Sequence, residues 1–261
     1  MTTDLEYAPK GLIGVLTPQA NTTVEPEFAI LCPPRYGFIN ARMVSDQTDM
    51  EARLVDYAEG IETHIGQFAN APIGAIALAV TGASYLLGRE AEDALVERVF
   101  KARGLPLVTT ALAVCDALTL LAARNITLIS PYPETLTAKS VHYWTSRGFH
   151  IAELVQLSGD SDSFHPIYAL PSDAASTALE SVKDNGSDAI VMLGTGMPTL
   201  APIAARAGWN GPPVLSSLFC LAWRSVAAAA GNQPDRGDLD LWLSAAPWKD
   251  ALSKARRDQS L

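Results

Sequence analysis

The chain builds the same strand ending twice: "AIALAVTG" closes on Thr81-Gly82, and "AIVMLGTG" closes on Thr195-Gly196. Two further apolar runs, "GVLTP" and "TLISP", end at Thr17-Pro18 and Ser130-Pro131. A hydroxyl at the end of a buried strand sits where the N–H groups of the next helix also point, and open α/β sheets collect their ligands there. Four such turns facing one another would ring a single cleft. The more familiar acid/base and metal groups are scattered. Cys32, Cys115 and Cys220 show no CxxC spacing, and His64, His142, His150 and His165 form no HxH or HExxH pattern, so neither a disulfide framework nor a metal is expected.

The elements that position these turns alternate between short apolar runs and longer helical patterns, the mark of βαβ units around parallel sheets. In the first half the expected order is strand 11–18, strand 37–43, helix 51–70, the strand "AIALAV", helix 89–102 closed by Gly104, and the strand "LPLVTT". The second half repeats it: helix 111–123, the strand "NITLISP", helix 134–147, the strand "FHIAELVQL", helix 172–185, and the strands "AIVML" and "PPVLSS". A last helix, 220–230, is followed by a Gly/Asn/Pro/Asp-rich segment that reads as loosely ordered. Two similar α/β halves of about a hundred residues each result.

With 48% hydrophobic and 18% charged residues in 261, the chain has the material for a sizeable core. No apolar run reaches the roughly 18–20 residues of a membrane span. The N-terminal "MTTDLEYAPK" lacks a basic segment followed by an apolar one, and a cytoplasmic protein is expected. The net charge is −9, and basic residues cluster only in the tail "SKARRDQ". Nucleic acid is therefore an unsuitable partner. A nucleotide-binding Rossmann domain is disfavoured too, because "GVLTPQAN" follows the first strand in place of GxGxxG.

The stretch "GVLTPQANTTVEPEF" (14–28) resembles the N-terminal motif of maleate cis-trans isomerases. The repeated strand ends resemble those of the wider aspartate/glutamate racemase superfamily, to which arylmalonate decarboxylase belongs. The resemblance runs from about residue 11 to 231. It implies two pseudo-symmetric Rossmann-like domains with parallel sheets, 1–110 plus 219–261 and 111–218. Their interface would form the active site, needing no cofactor and acting on a small carboxylate, and a homo-oligomer is compatible with it.

The resemblance implies a catalytic cysteine before the threonine at each repeated strand end in the classical members, of which arylmalonate decarboxylase keeps only the second. Here those positions hold Val80 and Gly194, which neither ionise nor attack carbon. The carboxylate-binding equipment carries over: Asn21, Thr22 and Thr23 match an Asn-Thr-Thr motif, Thr81 and Thr195 follow the lost cysteines, and Tyr132 matches a carboxylate-donating tyrosine. Gly82, Gly196 and Ser217 complete the expected binding set. The loop "SGDSDSFHP" offers Asp160, Asp162 and His165, and Cys220 follows the strand "PPVLSS" as a candidate displaced nucleophile. Two readings follow. One is an isomerase, racemase or decarboxylase/lyase acting at the carbon α to a carboxylate, with Asn21, Thr81, Tyr132 and Thr195 as donors and the proton handled by Tyr132, His165, Cys220 or water. The other is a carboxylate-binding or regulatory protein without catalysis.

Overall fold

The computed structural model describes residues 5–159 and 165–258. The first half runs β1 (Gly11–Pro18), α1 (Val24–Leu31), β2 (Tyr36–Met43), α2 (Met50–Glu59), α3 (Ile61–Gly66), β3 (Ala75–Leu78), α4 (Thr81–Arg103) and β4 (Leu107–Thr109). Its strands form a parallel sheet in the order β2-β1-β3-β4. The second half runs α5 (Thr110–Leu120), β5 (Asn125–Ser130), α6 (Glu134–Ser146), β6 (His150–Gln156), α7 (Ser172–Val182), β7 (Ala189–Met192), α8 (Leu200–Ala205) and β8 (Val214–Ser216). Its sheet is parallel in the order β6-β5-β7-β8, the same winding as the first. Three helices follow: α9 (Ser217–Ala229), α10 (Arg236–Leu243) and α11 (Lys249–Asp258). The α/β architecture with two parallel sheets is the one expected from the alternating pattern.

Every residue of β1 is buried, as parallel strands covered on both faces require, which is why "GLIGVLTP" reads as a continuous apolar run. The register repeats between halves: Leu16 pairs with Leu78, and Ile129 with Met192. The central strands of each sheet thus stop at matching levels, and the turns after them emerge side by side. Helices α5 and α9 pack on each other and on β4, with α9 also covering β1 and β3. By packing, α5 lies with the first sheet, although a division at residue 111 assigns it to the second half.

Buried polar groups join the halves. Glu92 on α4 accepts from Thr109 Oγ1 at 2.7 Å, from Arg147 after α6 at 2.7 Å, and from the Tyr143 hydroxyl. Glu27 on α1 accepts the backbone N–H groups of Thr199 at 2.6 Å and Leu200 at 3.2 Å, opening α8.

The elements differ from the sequence expectation in several places, one of them α11, a helix after the one expected to be last. The helix expected over 51–70 is two, α2 and α3, meeting at Gly60. The helix expected over 89–102 is the second piece of α4, after the break where Gly88 takes φ +75°, and the short helical piece from Thr81 to that break was not expected. Helix α8, only six residues long, carried no sequence signal. The segment read as loosely ordered holds α10, capped by Asp235 Oδ1 accepting from Asp238 N at 3.0 Å. Its Leu239 and Trp242 are buried, as is Trp248 before α11, and both indoles pack on the Phe219 ring. None of the helices among the described residues is long and apolar enough to cross a membrane.

Candidate active site

The repeated strand ends meet across one narrow cleft. Val80, Thr81 and Gly82 form one wall, and Gly194, Thr195 and Gly196 face them with Tyr132.

The two threonines do different things. Thr195 Oγ1 donates to Ala79 O at 2.9 Å, and Asn21 Nδ2 donates to Thr195 O at 3.1 Å and to its Oγ1 at 3.3 Å. Thr23 Oγ1 donates to Gly196 O at 2.6 Å, while Asn21 Oδ1 accepts from the N–H groups of Thr23 and Val24. Asn21, Thr23 and Thr195 therefore fasten one half to the other. Thr22 is exposed and outside this cleft. Thr81 Oγ1, in contrast, is buried with no hydrogen-bond partner among the described residues.

Thr81 and Gly82 are the first residues of α4, whose N-cap Val80 supplies no side-chain acceptor. The first-turn N–H groups carry the positive end of the helix dipole without a side-chain cap, and that of Gly82 lies against the Tyr132 phenol. Tyr132 follows β5 and is buried; burial pushes its phenol well above the usual tyrosine range, while the Thr81 hydroxyl and Gly82 N–H oppose that shift. The phenol stays protonated and donates. Thr81, Gly82 and Tyr132 thus form one cluster of neutral donors on the cleft lining, the kind of group that stabilises a carboxylate or enediolate.

His165 lines the same cleft, stacked on Tyr168 with ring centroids 3.7 Å apart. Its Nδ1 accepts from Ile167 N at 3.3 Å, which leaves Nε2 as the N–H end of the neutral ring. Burial, then the nearby Arg53 guanidinium, lowers its pKa below the ordinary 6.5. The Tyr168 ring covers the bare α-carbon of Gly196, where a Cβ would lie 2.3 Å from Cδ1. Asp160 and Asp162 lie outside the described residues.

No thiol reaches the cleft. Val80 is buried, and Gly194 takes φ +84° with a built Cβ 3.2 Å from Pro131 Cγ and 3.3 Å from the Tyr132 hydroxyl. Cys220 lies in the core on α9 and does not line the cleft; burial pushes its thiol far above the usual range. It is placed as a core residue, contrary to the nucleophile expectation. Burial likewise raises Cys32 to about 11 and Cys115 to about 12. Ser217 is buried at the start of α9, away from the cleft lining. Among the described residues no group of three His, Cys, Asp or Glu side chains could hold a metal ion.

Two residues of the site were missed in the sequence. Arg53 and Tyr168 both line the cleft. Arg53 had a signal: Met50, Arg53, Leu54 and Tyr57 recur at i, i+3, i+4 and i+7, one helical face with a single cation on it. Tyr168 had none.

A sequence model of the arylmalonate decarboxylase family matches residues 13–240. A maleate isomerase of Pseudomonas putida is 25% identical over 231 residues, covering 83% of this chain and 90% of that one. Among solved structures, the maleate isomerase Iso of Pseudomonas putida S16 with maleate superposes with a TM-score of 0.76 at 20% identity, covering 92% of this chain and 99% of that one. A Nocardia farcinica maleate cis-trans isomerase, solved with a covalently bound succinylcysteine intermediate, gives a TM-score of 0.74 at 24% identity over 85% and 93% of the two chains. An arylmalonate decarboxylase gives 0.68 at 20% identity over 87% and 96%. With the family match spanning most of the chain and both strand-end turns inside it, this protein belongs to the arylmalonate decarboxylase family.

Proposed function

We propose that this protein is a cofactor-independent decarboxylase of a malonate-type dicarboxylate, working without a thiol. The observation that carries the reading is the chemistry of the cleft lining: among the described residues it has hydroxyl, amide, imidazole and guanidinium groups but no Asp, Glu or Cys. Racemisation through proton abstraction calls for an acid/base group on each face of the carbon, and among the described residues the lining holds one imidazole and no carboxylate or thiol. Decarboxylation needs no base. One carboxylate rests on Thr81, Gly82 and Tyr132; the bond from the α-carbon to the other carboxylate breaks, and its electron pair forms an enediolate as CO2 leaves. The donors hold the growing charge on the retained oxygens. The α-carbon then takes a proton from Nε2 of His165 in its imidazolium form, which leaves the neutral ring for solvent to reprotonate, giving a monocarboxylate. His165 fits this role as the cleft group that titrates nearest neutrality.

The test is a screen of purified protein against aryl- and alkylmalonates, maleate, hydantoins and acidic amino acids. CO2 release from a malonate, with one deuterium in the product formed in D2O, is expected. Turnover of maleate or racemisation of an amino acid in its place would refute the decarboxylase assignment. Val80 and Gly194 at the usual cysteine positions favour a second reading, a carboxylate-binding protein without turnover. Malonates that raise the melting temperature yet are never consumed would support it.

A further inference from the structure

The proposed decarboxylation uses Thr81, Gly82, Tyr132 and His165 and leaves one group of the cleft unexplained. Arg53 lines it from α2 with Met50, Leu54 and Tyr57, in a protein whose net charge is −9. The lining brings no carboxylate to neutralise this cation, and Arg53 forms no ion pair among the described residues. Its Nη2 donates to Thr48 O at 3.2 Å, but its Nε is buried with no hydrogen-bond partner among the described residues. An unpaired buried guanidinium N–H costs on the order of 1–3 kcal/mol, and a planar fork suits a carboxylate accepting two parallel bonds. Its field also reaches His165, Tyr57 and Tyr168, which places it over the aromatic side of the cleft.

From this geometry we infer that Arg53 is a specificity residue that receives a second, non-reacting acid group, so that the substrate is a malonate whose side chain itself ends in a carboxylate. The inference rests on the carboxylate-binding reading above. Arg53 is poorly suited to the departing carboxylate, because a cation there would stabilise the charge that has to leave as neutral CO2. It belongs to the α2 wall with three apolar or aromatic side chains, whereas the donors for the retained carboxylate sit on the strand-end turns.

The experiment compares two inert ligands of equal chain length, pentanoate and glutarate, which differ only in a terminal methyl or carboxylate. Calorimetric titration of the full chain should show glutarate binding at least tenfold tighter. Arg53→Met should bring glutarate to the pentanoate level while changing pentanoate affinity less than twofold. Equal affinities in the wild type, or a preference that survives Arg53→Met, would overturn the role of Arg53 and leave the donor site intact. Loss of both ligands in Thr81→Val/Tyr132→Phe marks that donor site independently. If neither ligand binds the wild type, the carboxylate-binding reading fails and the inference with it.

Discussion

The phenolic oxygen of Tyr132 lies 3.3 Å from the point where a side chain on Gly194 would begin. The tyrosine therefore occupies the approach that a thiol at that strand end would need. Gly194 also has φ +84°, a conformation that costs a residue with a Cβ about 1–3 kcal/mol. Gly194→Cys is expected to lower stability by that amount in denaturant titration. Paired with Val80→Cys, it is expected to give no thiol-dependent turnover of maleate. Adding Tyr132→Phe should recover part of the lost stability. A stable double-cysteine variant that isomerises maleate would show that Tyr132 does not block the position.

Thr81 is expected to separate binding from folding. Its hydroxyl has no partner among the described residues, so Thr81→Val should leave the melting temperature nearly unchanged. Carboxylate binding should weaken by about 1–3 kcal/mol, and Tyr132→Phe should produce a similar loss. Unchanged affinity in both variants would remove the donor cluster from the site.

The pH dependence of turnover reports on His165. Its pKa lies below 6.5 because burial and then Arg53 disfavour the imidazolium. As the proton donor it is strongest when charged, so kcat should rise as pH falls through that lowered value. His165→Gln should flatten the profile over the same window. A kcat that instead rises with pH would identify the imidazole as a base.

Glu27 makes stability depend on pH. Burial raises its pKa from 4.5 to about 7, against the opposing hydrogen bonds from Thr199 and Leu200. The folded protein thus binds a proton more tightly than the unfolded chain. This contribution is fully present below about pH 4.5 and disappears as pH rises through 7, amounting to about 3 kcal/mol. Glu27→Gln should abolish that slope in denaturant titrations at pH 5 and pH 8. A slope that persists would have to come from another group.

The strand ends were legible because their information is local: an apolar run, a hydroxyl and a turn residue occur together in "AIALAVTG" and "AIVMLGTG". Helices α8 and α10 were not. Six residues carry too little periodicity, and α10 becomes persuasive only once Trp242 meets Phe219. The candidate site divided along similar lines. A threonine or asparagine announces a hydrogen bond but not its partner, so Thr81 and Thr195 read alike although Thr195 bonds to Ala79 and Asn21. Cys220 looked placed for chemistry from its position after β8, yet which face of α9 it occupies depends on packing against the first sheet.

That difference between Thr81 and Thr195 also bears on handedness. A planar intermediate lying between the walls meets the Thr81–Tyr132 donor cluster on one side, and on the other a threonine already bonded to Ala79 and Asn21. Its two faces are no longer equivalent, and with a single imidazole in reach a proton arrives from only one of them. Internal duplication by itself would create a nearly mirror-indifferent chamber. Assigning one threonine to fastening and leaving the other open makes the chamber enantioselective, so a prochiral substrate should yield a single optical isomer.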